Sequence, residues 1–357
     1  MLIATIVGNR PQFVKAAAVS RKLRESMDEV LVHTGQHYDD ELSRIFFDEL
    51  GIPAPDHQLD IHDGSNTDQT ARQLAALEPL LERIAPDLVL VYGDTNSTLA
   101  GALAAAQRRT PVAHVEAGMR SFDRAMPEEL NRVLADHASD LLFCSTTTAV
   151  DNLAREGIRD GVHLVGDVMA DVALAFLPVA AERSTALADN GVEPGEYVLM
   201  TVHRAGNVDV PERLVKVVEL AEQLPLAAVF PVHPRTRARL QEAGLWERLE
   251  QAVKVTQPLG YLDFLELATH ASVVLTDSGG VQKEAFLVGT PCVTLRNTTE
   301  WVETVNLGWN VLVDLDVGAA IGALMRPKPA HEPPELYGGG HAADRIRDVL
   351  RAYTGSP

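Results

Sequence analysis

The sequence predicts an α/β protein of two doubly wound, parallel-sheet domains that face each other across a central cleft. The chain has 357 residues, which is more than one hydrophobic core usually serves. Short apolar runs alternate with longer segments of helical period, as in βαβ units. This alternation restarts after a turn-rich segment, NGVEPGE, at 190 to 196. We expect a first domain over 1–168 and a second over 169–340.

The first half contains six apolar runs of strand length, separated by segments of helical length and period. They are LIATIV (2–7), EVLVHT (29–34), DLVLVYG (87–93), VAHVEA (112–117), LLFCS (141–145) and VHLVG (162–166). A further helical segment, DVALAFLPVAAER, follows the last of them.

The second half repeats the pattern. Its strand-like runs are YVLMTV (197–202), AAVFPVH (227–233), VKVTQ (253–257), SVVLT (272–276), CVTL (292–295) and NVLVDL (310–315). A segment rich in Pro and Gly, RPKPAHEPPELYGGG, then leads to a last helix that we predict over 341–354.

The net charge narrows the classes of partner. Fifty acidic and 31 basic side chains give a net charge of -19, which repels polyanions at long range and argues against nucleic acid. A small anionic substrate remains compatible with this charge, because a few cations in a local cleft can outweigh a screened surface field.

The cysteines and the hydropathy of the sequence indicate the cellular compartment of the protein. Cys144 and Cys292 each lie in an apolar run, which excludes a disulfide framework and indicates buried core thiols. The opening segment, MLIATIVGNRPQ, lacks the basic start of a signal peptide, and no apolar run is long enough to span a membrane. We therefore expect a cytoplasmic protein that does not contact membranes.

Polar segments follow seven of the predicted strands. They are GNRPQFVK, TGQHYD, GDTNS and EAGMRS in the first half, and HRAGN, HPRTR and DSGG in the second. One such segment is ordinary loop polarity. Seven together indicate a binding site, because ligands of open α/β sheets bind beyond the carboxyl ends of the strands.

The segment DSGGVQKEAF is the clearest candidate for binding an anion. Ser278 can cap the helix that follows, and Gly279 and Gly280 leave backbone amides open where the helix dipole favours a phosphate. Glu284, one turn later, can reach ribose hydroxyls. The alternative is an ordinary capped helix start with a surface glutamate.

The sequence indicates neither a redox cofactor nor a metal. It contains no GxxxxGK[ST] loop and no GxGxxG fingerprint. His203, Arg204 and His233 follow strands of the second half, where a histidine is commonly a hydrogen-bonded structural residue. Neither His203 nor His233 is part of an HxH or HxxxH spacing that would suggest a metal site.

The first half supplies cations and carboxylates at strand ends. Arg10 and Lys15 can supply positive charge for a diphosphate, although Lys15 can equally be an exposed helix residue.

Three carboxylates follow strands of the first half. Glu116 ends an apolar strand, where a carboxylate needs a partner or a function. Asp94 also ends an apolar strand, and the alternative to a functional role is that it caps the N-terminus of the following helix. Glu128, in the first turn after a proline, alternatively stabilises its helix through the macrodipole.

These motifs resemble, in order, those of the non-hydrolysing UDP-N-acetylglucosamine 2-epimerases. The matching segments are RPQFVK, TGQHYD, GDTNS, HVEAGMRS, PEELNR, HR, HPRTR, DSGGVQKEA and TPCVTLRNTTE. The resemblance implies the two-domain glycosyltransferase-B architecture, in which the last helix often packs on the first domain. It also implies a homodimer that interconverts UDP-N-acetylglucosamine and UDP-N-acetylmannosamine without a redox cofactor.

The resemblance also implies roles for individual residues. Catalytic or active-site positions fall on Arg10, Lys15, Asp94, Glu116, Glu128 and His203. Positions that contact the UDP-sugar fall on Gln36, Arg204, His233, Phe264, Ser278, Gly279, Gly280 and Glu284.

The chain departs from the family pattern at three positions. Gly206 replaces the acid of HRxEN, Trp301 replaces the arginine of TERPE, and Asp39 differs from the second glutamine of allosterically regulated members. A hydrolysing 2-epimerase, a glycosyltransferase of the same architecture and a non-catalytic UDP-sugar sensor therefore stay open as alternatives.

The chemistry of C2 inversion restricts the mechanism. The C2 proton of N-acetylglucosamine is not next to a carbonyl, so deprotonation alone is slow. Without a nicotinamide fingerprint, elimination of UDP to a glycal and its readdition is the remaining route. This route needs cations at the diphosphate and acid–base groups on both faces of C2, and three carboxylates are available for that work. Which of them serves which face stays open.

Overall fold

The computed structural model describes residues 1–35 and 54–354, and the side chains of Arg10 and Pro11 are also outside the described part. The chain divides into two compact units. The first comprises Met1–Leu174 and Glu335–Pro357, and the second comprises Ala175–Pro334. Each unit has its own parallel sheet and its own hydrophobic core.

The first unit is built on a seven-stranded parallel sheet. Its strands are β1 (Leu2–Val7), β2 (Asp28–His33), β3 (His57–Gln58), β4 (Leu88–Tyr92), β5 (Val112–Ala117), β6 (Leu141–Cys144) and β7 (Val162–Leu164). Their order in the sheet is β3-β2-β1-β4-β5-β6-β7. Ile3 on β1 therefore pairs with Glu29 on one side and Leu88 on the other. The strand order reverses beside β1, which is where ligands of such sheets bind.

Helices fill the crossovers of this sheet. They are α1 (Arg10–Leu23), α2 (Asn66–Ile84), α3 (Asn96–Gln107), α4 (Pro127–His137), α5 (Thr147–Arg155) and α6 (Val168–Arg183), the last of which contains the boundary between the units. Side-chain caps define several starts: the Asn9 side chain accepts from the Gln12 amide, and Thr95 forms a capping box with Thr98. Strand-end polar residues are thus also the residues that start the helices.

The second unit repeats this plan with a six-stranded parallel sheet. Its strands are β8 (Tyr197–Thr201), β9 (Ala227–Pro231), β10 (Lys254–Thr256), β11 (Val273–Thr276), β12 (Cys292–Thr294) and β13 (Asn310–Leu312), in the order β10-β9-β8-β11-β12-β13. Val274 on β11 pairs with Leu199 and Cys292, so the order reverses beside β8.

The helices of the second unit are short, and several begin at a proline or a glycine. They are α7 (Ala186–Asn190), α8 (Ala205–Val208), α9 (Pro211–Glu222), α10 (Pro234–Glu242), α11 (Trp246–Ala252), α12 (Tyr261–His270), α13 (Gly279–Leu287), α14 (Val302–Asn306) and α15 (Val317–Leu324). The last helix of the chain is α16 (Ala342–Ala352).

Burial explains why the strands are continuous apolar runs. Every residue of β4 is buried, and β5, β6 and β8 are buried over nearly their whole length, as expected for a parallel sheet covered by helices on both faces. The predicted α/β class and the two parallel sheets are confirmed. The two-residue strand β3 was not predicted, because His57 and Gln58 form no apolar run.

Helix α16 belongs to the first unit and packs against α1. The ammonium of Lys22 lies 3.0 Å from the Asp344 carboxylate. The Asp171 carboxylate accepts hydrogen bonds from the Ala342 and Ala343 amides at 3.0 and 2.7 Å, so it caps the start of α16. The chain is thereby anchored to the first unit at its last helix.

Two expectations about the apolar segments can be compared with the structure. Cys144 and Cys292 are free and buried as predicted, and burial raises the pKa of each thiol to about 12. Among the described residues, no helix combines the length and the apolar character needed to cross a membrane.

Candidate active site

An ion pair joins two strand-end segments of the first unit. The Lys15 ammonium on α1 donates a hydrogen bond to the carboxylate of Glu116 at the end of β5. The two side chains are only 12% and 14% exposed. Burial alone would lower the pKa of Lys15, but the charge and hydrogen bond of Glu116, with the charges of Asp94 and Asp167, raise it overall. The Lys15 ammonium is therefore charged, and it is surrounded by the carboxylates of Glu116, Asp94 and Asp167.

Glu116 adopts an unusual backbone conformation. Its φ is +71°, in the left-handed region that non-glycine residues seldom occupy. The pairing of β5 with β6 shifts register between Val115 and Ala117, so Glu116 lies in a β-bulge. A bulge redirects a side chain at the end of a strand, and here it presents the carboxylate to Lys15. Strain of this kind is common at functional sites.

Asp94 is held by α4 on two sides. The Arg132 guanidinium forms an ion pair with its carboxylate, and the Asn131 side-chain amide donates to its backbone carbonyl at 3.0 Å. The alternative interpretation of Asp94 as an N-cap is wrong, because Thr95 caps α3 instead. The side chain of Asp94 is still 35% exposed, so it can meet a ligand.

The two glutamates that begin α4 have different environments. Glu129 is buried, and its carboxylate accepts hydrogen bonds of 2.9 Å from the Ser121 amide, the Ser121 hydroxyl and the Phe122 amide. Glu128 is exposed on the first turn. Glu129 therefore fixes the loop after β5, while Glu128 remains accessible.

Gln12 connects the ends of β1 and β4. Its side-chain oxygen accepts from the Gly8 amide at 2.7 Å, and its side-chain nitrogen donates to the Tyr92 carbonyl at 2.6 Å and to the Thr98 hydroxyl at 2.9 Å. The residue is almost fully buried. It sets the spacing of the two strand ends that precede Arg10 and Asp94.

Asp277 organises the strand ends of the second unit. Its fully buried carboxylate accepts hydrogen bonds from the amides of His203 and Arg204 and from the Asn207 side chain at 3.0 to 3.2 Å. One acid at the end of β11 thus holds the whole segment after β8. In the sequence, Asp277 is recognisable only as the first residue of the DSGG segment that follows a predicted strand.

His203 and His233 lie side by side. Their ring centroids are 5.8 Å apart, and the Nδ1 atom of His203 is 3.5 Å from Asp277. Partial burial, with the charges of Arg204 and Arg235, lowers the pKa of His203 although Asp277 opposes this. The imidazole is therefore mostly neutral at pH 7. Within the described part of the chain, no group of three or more His, Cys, Asp or Glu side chains is arranged to hold a metal ion.

Helix α13 presents its N-terminus at the end of β11. Ser278 occupies the N-cap position as predicted, but among the described residues no helix amide bonds to its hydroxyl. Gly279 and Gly280 are the first two helical residues, and Gly280 is exposed. The open amides and the helix dipole suit a phosphate. Glu284 is buried one turn later.

Three side chains flank Gly279. A Cβ atom built there would lie 3.5 Å from Glu300 Oε2, 3.7 Å from Trp301 Nε1 and 3.8 Å from Arg296 Nη1. Arg296 and Glu300 form a bidentate pair at 3.1 and 3.0 Å. Burial alone would raise the pKa of Glu300, but Arg296 brings it below its ordinary value. The pair is therefore ionised beside the first turn of α13.

Trp301 covers a buried cation. The Lys283 ammonium lies 4.2 Å from the centroid of the indole ring, and Lys283 is only 1% exposed. A cation on an aromatic face is stabilised by the ring quadrupole. The tryptophan that replaces the family arginine is thus part of the packing around Lys283.

Some predicted site residues have no described environment. Gln36 and the departure at Asp39 lie outside the described residues. Arg10 is the first residue of α1, and its side chain is outside the described part.

Phe264 is partly buried against the core of the second unit.

A family model described as UDP-N-acetylglucosamine 2-epimerase matches residues 21–351 of the chain. The chain belongs to the UDP-N-acetylglucosamine 2-epimerase family. It is an isomerase of this family, as the resemblance of its motifs implies.

Relatives match over nearly the whole chain. The UDP-2,3-diacetamido-2,3-dideoxy-D-glucuronate 2-epimerase of Pseudomonas aeruginosa is 49% identical, covering 98% of this chain and 99% of that protein. The UDP-N-acetylglucosamine 2-epimerase of Methanocaldococcus jannaschii is 42% identical, with coverage of 98% and 99%. A crystal structure of that enzyme in complex with UDP-GlcNAc and UDP has a TM-score of 0.92 and 41% identity, covering 99% of this chain and 100% of that one.

The sequence alone did not reveal which residues hold the strand-end segments of this 2-epimerase family member in place. These residues are Gln12, Glu129, Arg132 and Asp277, and each bonds to such a segment. All four lie within the quoted motifs, so the motifs carried the signal. Their roles depend on hydrogen bonds between segments that are distant along the chain.

Proposed function

We propose that this enzyme interconverts UDP-N-acetylglucosamine and UDP-N-acetylmannosamine without net hydrolysis, by eliminating UDP across C1 and C2 and adding it back. The observation that carries this proposal is the cluster of Glu116, Lys15 and Asp94 at the ends of β1, β4 and β5. The order of the family motifs supports the same substrate.

The proposed steps balance without an oxidant. A carboxylate removes the C2 proton while the bond from C1 to the phosphate oxygen breaks, and its electron pair leaves with UDP. The product is a 2-acetamidoglucal. In the second half, the UDP oxygen adds back to C1 and a carboxylic acid delivers a proton to the opposite face of C2.

We assign the acid–base work to Asp94, Glu116 and Glu128. Asp94 and Glu116 are held at their positions by cations, which suits groups that must meet C2 in a defined geometry. Glu128 is exposed and able to meet a ligand. The Lys15 ammonium is bound to Glu116, so we propose that it positions this acid, whereas Arg10 supplies charge to the diphosphate.

We assign the UDP group to the second unit. The amides of Ser278, Gly279 and Gly280 at the start of α13 suit the phosphates, and Glu284 suits the ribose hydroxyls. The remaining proposed contacts are His203, Arg204, His233, Phe264 and, in the first unit, Gln36. The family resemblance also supports a homodimer.

A second substrate is favoured by one comparison. The 49% identical relative from Pseudomonas aeruginosa is named for a 2,3-diacetamido glucuronate sugar. The same elimination at C1 and C2 serves that sugar, because its C3 acetamido group and C6 carboxylate do not take part in the bond changes.

The decisive experiment uses UDP-N-acetylglucosamine in deuterium oxide, followed by NMR and mass spectrometry. We expect deuterium at C2 and formation of UDP-N-acetylmannosamine. Glu116→Gln should abolish both, whereas Glu82→Gln, an exposed acid on α2, should retain them.

The other outcomes identify the alternatives. Free N-acetylmannosamine with UDP would indicate the hydrolysing reaction, and transfer to an added acceptor would indicate a glycosyltransferase. Turnover of only the diacetamido glucuronate sugar would assign the second substrate. Tight UDP-sugar binding with no exchange at C2 of either sugar would indicate a sensor and overturn the proposal.

A further inference from the structure

An exposed aromatic ring follows a buried stretch of the loop after β5. Residues 117–121 are all buried, and Ser121 is only 8% exposed. The next residue, Phe122, is 71% exposed, which makes it the most exposed of the large apolar side chains that the structure describes. The chain therefore turns this ring out of the protein directly after five buried residues.

The backbone of Phe122 is strained as well. Its φ is +58°, in the left-handed region where the Cβ atom of an ordinary residue is crowded. Glycine adopts this conformation without that crowding. Both the backbone and the exposed ring thus disfavour an aromatic residue here. Strain retained at such a position points to a function outside the stability of the fold.

Hydrogen bonds fix the loop on both sides of the ring. The buried Glu129 carboxylate accepts from the Phe122 amide and from the Ser121 amide, each at 2.9 Å. The Ser121 hydroxyl accepts from the Asp123 amide at 3.3 Å, and the Asp123 carboxylate accepts from the Ala125 amide at 3.0 Å. The position of Phe122 is therefore set by the loop and by α4.

The same glutamate connects Phe122 to a proposed acid–base group. One nitrogen of the Arg132 guanidinium lies 3.2 Å from the Glu129 carboxylate, and the other forms the ion pair with Asp94. One carboxylate and one guanidinium thus separate the Phe122 amide from Asp94. Glu128, next to Glu129, is exposed on the same first turn of α4. Phe122 therefore lies at the edge of the sheet where these acids lie.

The chemistry of the phenyl ring limits what it can recognise. The ring offers a large flat apolar surface and no hydrogen-bonding group. A 2-acetamido hexose has apolar surface at its ring C–H groups and at its acetamido methyl, and both sugars considered above carry this group at C2. Once UDP has left in the proposed elimination, the glycal is no longer bonded to the diphosphate, so only contacts with the sugar itself retain it.

We propose that Phe122 is a specificity residue whose ring packs against the apolar surface of the 2-acetamido sugar and retains the glycal until UDP adds back. This inference rests on the proposed function. The contact also keeps water away from C1, where it would otherwise compete with UDP. The strain at Phe122 and the exposure of its ring are then the cost of presenting the ring to a ligand.

The binding arm uses titration calorimetry with UDP-N-acetylglucosamine and with UDP alone. Phe122→Ala should weaken binding of the UDP-sugar by about tenfold and leave UDP binding unchanged, because UDP is assigned to the second unit. Phe122→Tyr keeps the ring and should bind as the wild type does. Met325→Ala, which truncates a 67% exposed side chain of the second unit, is the matched control and should also bind normally. If the wild type does not bind UDP-N-acetylglucosamine, the diacetamido glucuronate sugar nucleotide takes its place in the same titrations.

The kinetic arm follows the fate of the glycal. In Phe122→Ala, free 2-acetamidoglucal and UDP should appear several-fold faster relative to epimer than in the wild type, as measured by NMR on the reaction mixture. A wild type whose sugar affinity depends on the ring but that shows no exchange at C2 would contradict the proposed function and support the ring contact.

Three results would overturn the inference. Equal UDP-sugar affinity in Phe122→Ala and wild type would remove the contact. An equal loss of affinity for the UDP-sugar and for UDP would assign Phe122 to the structure of the loop. Loss of an oligomer in Phe122→Ala, measured by light scattering, would assign the ring to an interface between copies of the chain.

A second variant covers the case in which Phe122→Ala does not fold. Phe122→Gly relieves the positive φ, so it should unfold at a higher urea concentration than the wild type and still bind the UDP-sugar about tenfold more weakly. Wild-type UDP-sugar affinity in Phe122→Gly would overturn the inference in the same way.

Discussion

The Lys15 ammonium and the Glu116 carboxylate form an ion pair between residues 101 positions apart in the chain. The contact joins α1 to the bulged end of β5 and places a charged acid beside Gly93, next to Asp94. This pair links the fold to the proposed chemistry, because it exists only when the ends of β1, β4 and β5 are in register.

Replacing Lys15 should impair both rate and stability. Lys15→Met removes the Lys15 ammonium from the partly buried Glu116 carboxylate, and breaking a buried pair costs about 3 kcal/mol. We expect epimerisation to slow by about 100-fold or more and the urea midpoint to fall. Lys22→Met removes a more exposed pair with Asp344 and should change stability by less than about 1 kcal/mol. If Lys15→Met and wild type epimerise at equal rates, Lys15 does not position Glu116 for the reaction.

Asp136→Asn should reveal a pH-dependent contribution to stability. Burial alone would raise the pKa of Asp136, but its contacts with His114 and Arg120 bring it below the ordinary 3.8 in the folded protein. A lowered carboxyl pKa stabilises the fold above the unfolded pKa, and this stabilisation is lost as the pH falls through the folded pKa. The difference in unfolding free energy between wild type and Asp136→Asn should therefore be large at pH 6, about 3 kcal/mol, and shrink below pH 3.8. A difference that grows with acid would contradict the assignment.

Asp277→Asn should weaken UDP binding. The substitution removes the charge that three donors of the segment after β8 share, at a cost of about 1 to 3 kcal/mol. We expect a lower unfolding midpoint and about tenfold weaker binding of UDP by titration calorimetry. Asp209→Asn, which loses ion pairs with Arg235 and Arg239 in a more exposed setting, is the matched control. Its stability should stay within about 1 kcal/mol of wild type.

Restoring the family arginine at Trp301 should destabilise this enzyme. Trp301→Arg replaces the ring over Lys283 with a second cation, so it removes a contact worth about 2 kcal/mol when desolvated and adds repulsion. Thermal unfolding should occur at a lower temperature in Trp301→Arg than in Trp301→Phe, which keeps an aromatic face. Wild-type stability in Trp301→Arg would show that the Lys283 contact contributes nothing.

Most strands were predictable because they are apolar runs with helical segments on either side. In β5 the predicted and observed limits agree. In β13 the prediction over 310–315 extended too far: the strand ends at Leu312, although Val313 and Leu315 are buried and the Val313 amide still donates to the Thr294 carbonyl. Hydropathy predicts which residues are buried, whereas the limits of a strand depend on backbone pairing with the neighbouring strand.

The candidate site was predictable in its residue types and less so in their arrangement. Glu116 was singled out because a carboxylate at the end of an apolar strand needs a partner. Glu129 follows Glu128 in the first turn of α4, and its three hydrogen bonds to the loop after β5 appear only in the structure.

By itself, the sequence determined the α/β class, the position of most strands, the family and the segments that carry the chemistry, since these follow from local periodicity and from residue types in a fixed order. The tertiary structure alone decided that Lys15 meets Glu116, that α4 holds Asp94, and that Asp277 bonds to the segment after β8. Such pairings depend on the register and crossover of distant strands, and a few ångströms of displacement, invisible in a one-dimensional pattern, make or break a hydrogen bond.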